Sequence, residues 1–328
     1  MNIAPKVSVA MITYNHEKFI AQAIESVLGQ AADFQIELVI GEDCSTDNTR
    51  KIIHDYICRF PGRIRLLAHD KNIGMNANFA ATLEACRGEY IALLEGDDYW
   101  TNPDKIARQA SFLDNHPDCV NCFHNVRVVS DDPQSPVQGY YPDANGNQLM
   151  CAPDLPGRFT QQEFLKRNVI PTCSVMFRKG SMDGFPAWFR ELSIGDQPLH
   201  ILCTQHGASA YVPSVMGVYR LHGQSAWVGK AAAYRISRTI EMYGALERHF
   251  EDQPQSRILR ENRVHWMREL ARIFETDHQY SKAIQIYQQY LLTVLQKEFS
   301  AKLVIKLIRK IIKLWCLSCI PWFAPKKE

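Results

Sequence analysis

From Val7 to Val129 the chain alternates short β-rich apolar runs with longer stretches of helical apolar spacing, and few folds satisfy that rhythm. The segments 7–13, 36–41, 64–68, 90–94 and 119–129 are dominated by Val, Ile, Leu and other strand-forming residues. Between them, 17–30, 48–58, 76–86 and 103–115 carry apolar residues at helical intervals, such as Ile20, Ile24 and Val27 in the first. Start signals agree: Ser45-Thr46-Asp47 precedes the second helix and Thr101-Asn102-Pro103 opens the fourth. Strands apolar on both sides need cover on both sides, and a parallel crossover needs a helix to return the chain. The pattern predicts an α/β domain with a parallel sheet covered by helices on both faces.

Beyond residue 130 the stretch DDPQSPVQGYYPDANGN reads as a long loop or hairpin, a wall over a site. A short helix at 161–167, a strand at 172–178, a helix at 196–205 and a strand at 214–221 follow. From Lys230 onward the pattern is helical. Within it, residues 271–292 resemble one tetratricopeptide-like hairpin, and a single copy cannot stack into a solenoid, so ordinary helix-pair packing is expected. The expected organisation is 1–228 as the α/β domain, 229–300 as a helical C-terminal region and 301–328 as a basic amphipathic tail.

The formal charge of +2 conceals a split. Residues 301–328 hold seven Lys/Arg against one Glu, which leaves 30 basic and 34 acidic side chains in 1–300. A body of that balance does not read as a nucleic-acid binder. The ten cysteines are scattered and read as reduced core thiols of a cytoplasmic protein. Cys119 and Cys122 form a lone C-x-x-C beside His124, but on an alternating strand pattern with no second ligand pair, so a packing role is expected. The opening residues carry no basic region or cleavage site of a secretory signal.

Chemistry-bearing residues gather at the strand ends. The first strand ends in Thr13-Tyr14-Asn15, and the second runs into Glu42, Asp43, Ser45 and Asp47. The third is followed by Asn72, Gly74 and Asn78, the fourth by Asp97 and Asp98. Doubly wound sheets bind ligands at that edge. Paired carboxylates after an apolar strand repel each other and suffer desolvation; a divalent cation shared with a phosphate-bearing substrate relieves both, while an acidic turn is the alternative.

The ordered series VSVAMITYNHE, IGEDCSTDNT, NIGMNANFA, GEYIALLEGDDYW and NPDKI resembles family 2 glycosyltransferases of the GT-A fold, the inverting kind that serves bacterial polysaccharide and O-antigen synthesis, over roughly residues 6–225. The resemblance implies an α/β fold with a Rossmann-like, mixed, mainly parallel sheet and helices on both faces, a nucleotide-diphosphate sugar donor, with UDP expected, a divalent metal (Mn2+ or Mg2+) and a glycan or lipid-linked saccharide acceptor. It puts Thr13 and Tyr14, with Asn15, at the base, and Asp43 as acceptor of the base N–H. Asn72, Gly74 and Asn78 join the nucleotide side, Asp97 the ribose or metal, and Asp98 the metal. In SIGDQPLHIL it makes Asp196 the catalytic base; in GVYRLHGQSAW it brings Arg220, His222 and Ser225 to the diphosphate and acceptor side. Two positions depart from the family: Glu42 stands where an Asp is usual, and Cys44 where a Gly is usual.

A pyrophosphorylase would open with a glycine-rich basic loop and a dinucleotide oxidoreductase with G-x-G-x-x-G; TYNHEKF has neither. A catalytically silent nucleotide-sugar-binding or scaffold protein of the same fold is the remaining alternative. In the tail, Lys302, Lys306, Arg309, Lys310 and Lys313 fall on one arc of about 100° and apolar residues fill the rest. No uncharged run nears the roughly 20 residues that cross a bilayer. With Trp315, Trp322 and Phe323 nearby, the tail is expected to lie on an anionic membrane and hold the protein at the inner face of the cell membrane. Packing of its apolar side on the catalytic domain is the alternative.

Overall fold

The computed structural model describes residues 4–130, 137, 139–182, 184–223, 230–297 and 300–319; Ser225, Trp322 and Phe323 lie outside them. Two compact units divide the chain, Met1–Val228 and Gly229–Glu328.

In the first unit, β1 (Val7–Thr13), α1 (Ile20–Leu28), β2 (Ile36–Glu42), α2 (Thr49–Arg59), β3 (Ile64–Ala68), α3 (Met75–Ala85) and β4 (Tyr90–Glu95) follow the alternation of the sequence. Then come β5 (Tyr99–Trp100), α4 (Lys105–Asn115), β6 (Cys119–Ser130), β7 (Tyr141–Pro142), β8 (Gln148–Leu149), β9 (Arg158–Phe159), α5 (Gln161–Lys166), β10 (Met176–Arg178), α6 (Asp196–Cys203) and β11 (Ala208–Leu221). The strands share one sheet with main order β3-β2-β1-β4-β10-β6-β11-β5. β1 pairs in parallel with β2 and with β4, and β2 with β3; β6 pairs in parallel with β11, while β10 joins β4 and β6 antiparallel. The sheet is mixed and mainly parallel in its core, as the alternation demands.

Burial explains the apolar runs. β1 and β4 are buried along almost their whole length, with Val7, Val9 and Met11 in one cluster with Ile20, Ile24 and Val27 of α1. On α3, Phe79, Ala80 and Leu83 are buried. α3 comes so near β2 that a Cβ at Gly41 would stand 2.0 Å from Thr82 Oγ1 and 2.3 Å from Asn78 Oδ1. Glycine is required there by space.

Three expectations shift, each for a local reason. The first helix starts at Ile20 rather than 17, because Asn15 turns left-handed (φ 57°) and the backbone N–H groups of Asn15, His16 and Glu17 donate to Ser45, Thr49 and Asp47. The strand expected at 172–178 begins as a 3-10 turn, Thr172–Ser174, after Pro171, and only Met176–Arg178 pairs. β11 begins at Ala208, six residues early, and its register shifts between Val212 and Val215, around Pro213, which has no N–H to give. Within 131–158 the described part holds the antiparallel pair β7–β8. Cys119 and Cys122 are buried on β6, and burial pushes the Cys122 thiol up to about 12, which suits packing rather than redox chemistry.

The second unit consists of α7 (Ala232–His249), α8 (Gln255–Thr276), α9 (Tyr280–Lys297) and α10 (Ala301–Cys319), with α8 packed on α7, α9 on α8 and α10 on α9. Its core includes Met267, Leu270, Ala283, Tyr287, Leu307 and Leu314. α10 is therefore seated by Leu307 and Leu314, and Lys310 Nζ reaches Glu275 Oε2 at 2.6 Å. Leu303, Val304 and Ile311 pack partly buried beside them, while a second apolar strip stays outside: Ile308 is 41% exposed, Ile305 50%, Ile312 55% and Trp315 60%. Among the described residues no helix is long and apolar enough to cross a membrane.

Candidate active site

Parallel pairing levels the strand ends. Thr13 stands opposite Glu42, Glu42 opposite Ala68, and Ile12 opposite Glu95, so the loops after β1, β2, β3 and β4 open at one edge. With β2 and β3 on one side of β1 and β4 on the other, this edge is a topological switch point. A cavity of about 470 Å3 lies there, lined by Thr13, Tyr14, Asp43, Asn72, Asn78, Asp97, Asp98 and Asp196 among the expected residues. His16, Met75, Asn76, Phe79, Glu95, Thr172, Ile194 and Tyr219 line it too.

The β2 loop is built to hold one carboxylate. Asp43 is buried, its Oδ1 takes the Ile73 N–H at 2.7 Å, and its Oδ2 takes the Gly74 N–H at 3.0 Å. Asn72 Nδ2 donates to the Asp43 carbonyl at 3.1 Å. Gly74 supplies its N–H from a backbone at φ 91°, where a side chain would be strained. The two unusual residues are accommodated locally. Glu42 is fully buried, accepts the Ser45 N–H at 2.6 Å and pairs with Arg50. Cys44 occupies a left-handed position, φ 60°, which is the reason a glycine suits it.

Other expected residues serve as braces. Asn15 Oδ1 accepts the Thr46 N–H at 2.8 Å and so ties the β1 loop to the β2 loop. Asn78 Nδ2 donates to the Gly41 carbonyl at 2.8 Å, and Asn78 Oδ1 lies 3.0 Å from His69 Nε2. Arg220 is only 7% exposed; its N–H donates to Asp98 Oδ1 at 2.8 Å, its guanidinium to the Asp97 carbonyl at 2.7 Å and to Gln22.

Three acids stand at the end of β4 and just beyond it, and their surroundings separate them. Burial, then the Asp97 charge, pushes the Glu95 carboxyl up to about 8. Burial, then Asp97 and Glu95, holds Asp98 well above the carboxylate range. Burial also works to raise Asp97, but the His222 hydrogen bond and the His16 and His222 charges outweigh it and keep Asp97 low. The surroundings thus favour charge on Asp97 over charge on its two neighbours, the separation that like-charge repulsion drives. Around that acid, His222 Nε2 lies 2.9 Å and His16 Nε2 3.7 Å from Asp97 Oδ2. One ligand atom from each of His16, Asp97 and His222 can be chosen so that all three lie within 4.8 Å of one another. His16 Nδ1 meets Thr13 Oγ1 at 3.2 Å, an outer partner of the kind that orients a metal-ligating imidazole.

Asp196 opens α6 at the cavity wall, after Gly195, whose added Cβ would sit 2.6 Å from Asn76 Oδ1. Burial pushes its carboxyl up, against hydrogen bonds from Gln197 N–H and Asn168. Of the residues missed in the sequence, His16 and Glu95 stand inside motifs already singled out, TYNHE and LLEGDD. Tyr219 likewise stands inside GVYRLHGQSAW, whereas Thr172 arrives with the chain returning beside β4, which no local pattern announces.

The family model for glycosyl transferase family 2 matches residues 8–187, more than half of the chain. An uncharacterised protein of Mycobacterium tuberculosis is 38% identical over 221 residues, 67% of this chain and 60% of the relative, so the match spans about three fifths of that relative's length. In structure, the chain resembles Staphylococcus aureus TarS 1–349 with a TM-score of 0.62 at 18% identity, covering 97% of this chain and 93% of that one. TarS has also been solved with UDP and with UDP-GlcNAc. The mannosyltransferase PcManGT of Pyrobaculum calidifontis, solved with GDP-Man and Mn2+, matches with a TM-score of 0.52 at 14% identity, over 95% of this chain and 81% of that one. The chain belongs to glycosyl transferase family 2, with the GT-A fold.

Proposed function

We propose that this protein transfers a sugar, with inversion, from a UDP-sugar donor to a hydroxyl of a glycan or lipid-linked saccharide. The observation that carries this reading is the convergence, in one cavity, of a pinned acceptor carboxylate (Asp43), a charged acid flanked by two imidazoles (Asp97) and a separate carboxylate on a helix start (Asp196). Asp43 suits a base that offers an imide N–H, with Tyr14 beside it as an exposed ring. Asp196 takes the proton of the acceptor hydroxyl as its oxygen bonds to the anomeric carbon, and the carbon–oxygen bond to the diphosphate breaks with its electrons leaving on the diphosphate. PcManGT and TarS support a nucleotide-sugar donor, at the level of fold.

The residues fit a divalent cation: two imidazoles and one ionised carboxylate make a donor set suited to a first-row ion such as Mn2+. Asp97, His222 and His16 would hold it; Asp98, expected as a ligand, lines the same cavity and accepts the Arg220 N–H through Oδ1. Such an ion offsets charge gathering on a departing diphosphate. Two experiments test this reading. UDP release from a panel of UDP-sugars with Mn2+ is measured with and without lipid-linked saccharide; Asp196→Asn should keep UDP affinity and lose transfer about 10²–10⁴-fold. Lost UDP affinity with intact turnover would remove Asp196 from the base role. Mn2+ binding followed by EPR should weaken on the order of 100-fold in Asp97→Asn, and an unchanged affinity would refute the cation seat. A silent binder of the same fold would bind UDP-sugar and release no UDP in either arm.

The acceptor's class suggests where the protein works: in the cytoplasm, at the inner face of the cell membrane. The support is α10, where Ile305, Ile308, Ile312 and Trp315 are exposed and Lys302, Lys306, Arg309 and Lys313 beside them are exposed too. An apolar strip with a basic rim suits an anionic lipid surface.

A further inference from the structure

Asp196 is not alone in the wall. Asn168, on the stretch between α5 and the Thr172–Ser174 turn, donates from Nδ2 to Asp196 Oδ2 at 2.6 Å. Its own Oδ1 accepts the Ile170 N–H at 3.1 Å. That second bond fixes which end of the amide faces which way: the oxygen is committed to its own backbone, so the NH2 end is presented to the carboxylate. The stretch itself is anchored. α5 ends with the Arg167 N–H on the Glu163 carbonyl at 3.1 Å, one residue before Asn168, and Pro171 stiffens the exit toward the turn.

We propose that Asn168 is the positioning residue for the base: it holds one oxygen of the Asp196 carboxylate and leaves the other to receive the acceptor's proton. This rests on the assignment of Asp196 as base. A carboxylate with one oxygen pinned cannot rotate freely, and a base must be aligned with the hydroxyl it deprotonates. The bond also favours the charged form, since a donor to a carboxylate stabilises the anion. It thereby opposes the burial that pushes Asp196 up. The other groups acting on Asp196 are the N–H groups of Gln197 and of Asp196 itself, both on its own helix, and the Glu95 carboxyl from β4, itself raised in part by Asp196. Only Asn168 is a neutral side-chain donor among them. No acid–base residue is needed at that position, only an amide.

The test reads the carboxyl directly and requires neither donor nor acceptor. The full chain is labelled with 13C at aspartate carboxyls, and the Asp196 resonance is identified by its disappearance in Asp196→Asn. Asn168→Ala should raise the Asp196 titration midpoint by about one pH unit. Asn168→Asp keeps the size and removes the donor, adding a like charge; it should raise the midpoint further, so the inference stays open to test if Asn168→Ala does not fold. A midpoint within about 0.2 units of the unsubstituted protein in a folded variant overturns the positioning role, because a side chain that merely filled space would not move the titration. Where a UDP-sugar is turned over, the acidic limb of the rate profile should move up with the midpoint, while activity at high pH recovers. If instead Asp196→Asn sustains transfer, the base assignment fails and the positioning role fails with it, whatever the midpoint.

Discussion

Glu95, Asp97 and Asp98 lie within four positions and yet do not share one protonation state, and that difference has a thermal consequence. The Glu95 carboxyl is raised from the usual 4.5 to about 8, burial first and Asp97 second. Between those values the native chain keeps a proton that the unfolded chain has released. The stabilisation is therefore fully present below about pH 4.5 and is lost as pH rises toward about 8. In chelator and without nucleotide, the melting temperature should fall across that window, and Glu95→Gln should flatten the slope. Identical slopes in the two proteins would show that Glu95 is not protonated in the native cavity. Lys105, fully buried with its ammonium 3.6 Å from the Trp100 ring centroid, acts oppositely. Burial brings it down to about 7, so its contribution to stability rises with pH above that point.

The site depends on how closely whole elements approach. α3 lies against β2 at Gly41, and α6 begins against Asn76 of α3 at Gly195. Gly41→Ala should cost about 1–3 kcal/mol by chemical denaturation, because its Cβ would overlap Asn78 and Thr82 rather than a flexible chain end. Gly195→Ala should cost less stability but more transfer, since relief there moves either Asn76 or the start of α6 that carries Asp196. If Gly195→Ala left transfer untouched while Gly41→Ala lost it, the roles of the two contacts would be reversed.

At the scale of the chain, α10 has two faces, one packed in the second unit and one exposed. Leu307 and Leu314 belong to the core of the second unit, so deleting 301–328 would uncover Tyr287 and its neighbours and confuse a test of membrane binding. Substitution of the exposed strip is the cleaner experiment. Replacing Ile308, Ile312 and Trp315 by Ser should leave the melting temperature near its starting value and abolish sedimentation with anionic liposomes. Changing Lys302, Lys306, Arg309 and Lys313 to Gln should remove the salt sensitivity, each charge contributing about 1 kcal/mol near such a surface. Full-length protein that ignores anionic liposomes at low salt would assign the strip to another partner.

Local physics was legible in the residues themselves. Apolar runs buried on both faces, helical spacing and start signals determined the β-α-β order, and strand-end polar residues such as Thr13, Asp43 and Asp97 marked the ligand edge, because these signals are short-range. Helix starts and strand lengths were less legible where distant loops compete, as when the β2 loop claims the backbone of 15–17. What only the tertiary structure decided was division of labour among similar residues. Asp97 and Asp98 are adjacent in sequence, but one faces two imidazoles and the other a backbone N–H from β11, over a hundred residues away. Asn78 and Asn15 became braces while Asn168, unremarked in the sequence, came to touch Asp196. A side chain's charge and orientation are set by whatever the fold brings against it, and that is a property of packing rather than of order along the chain.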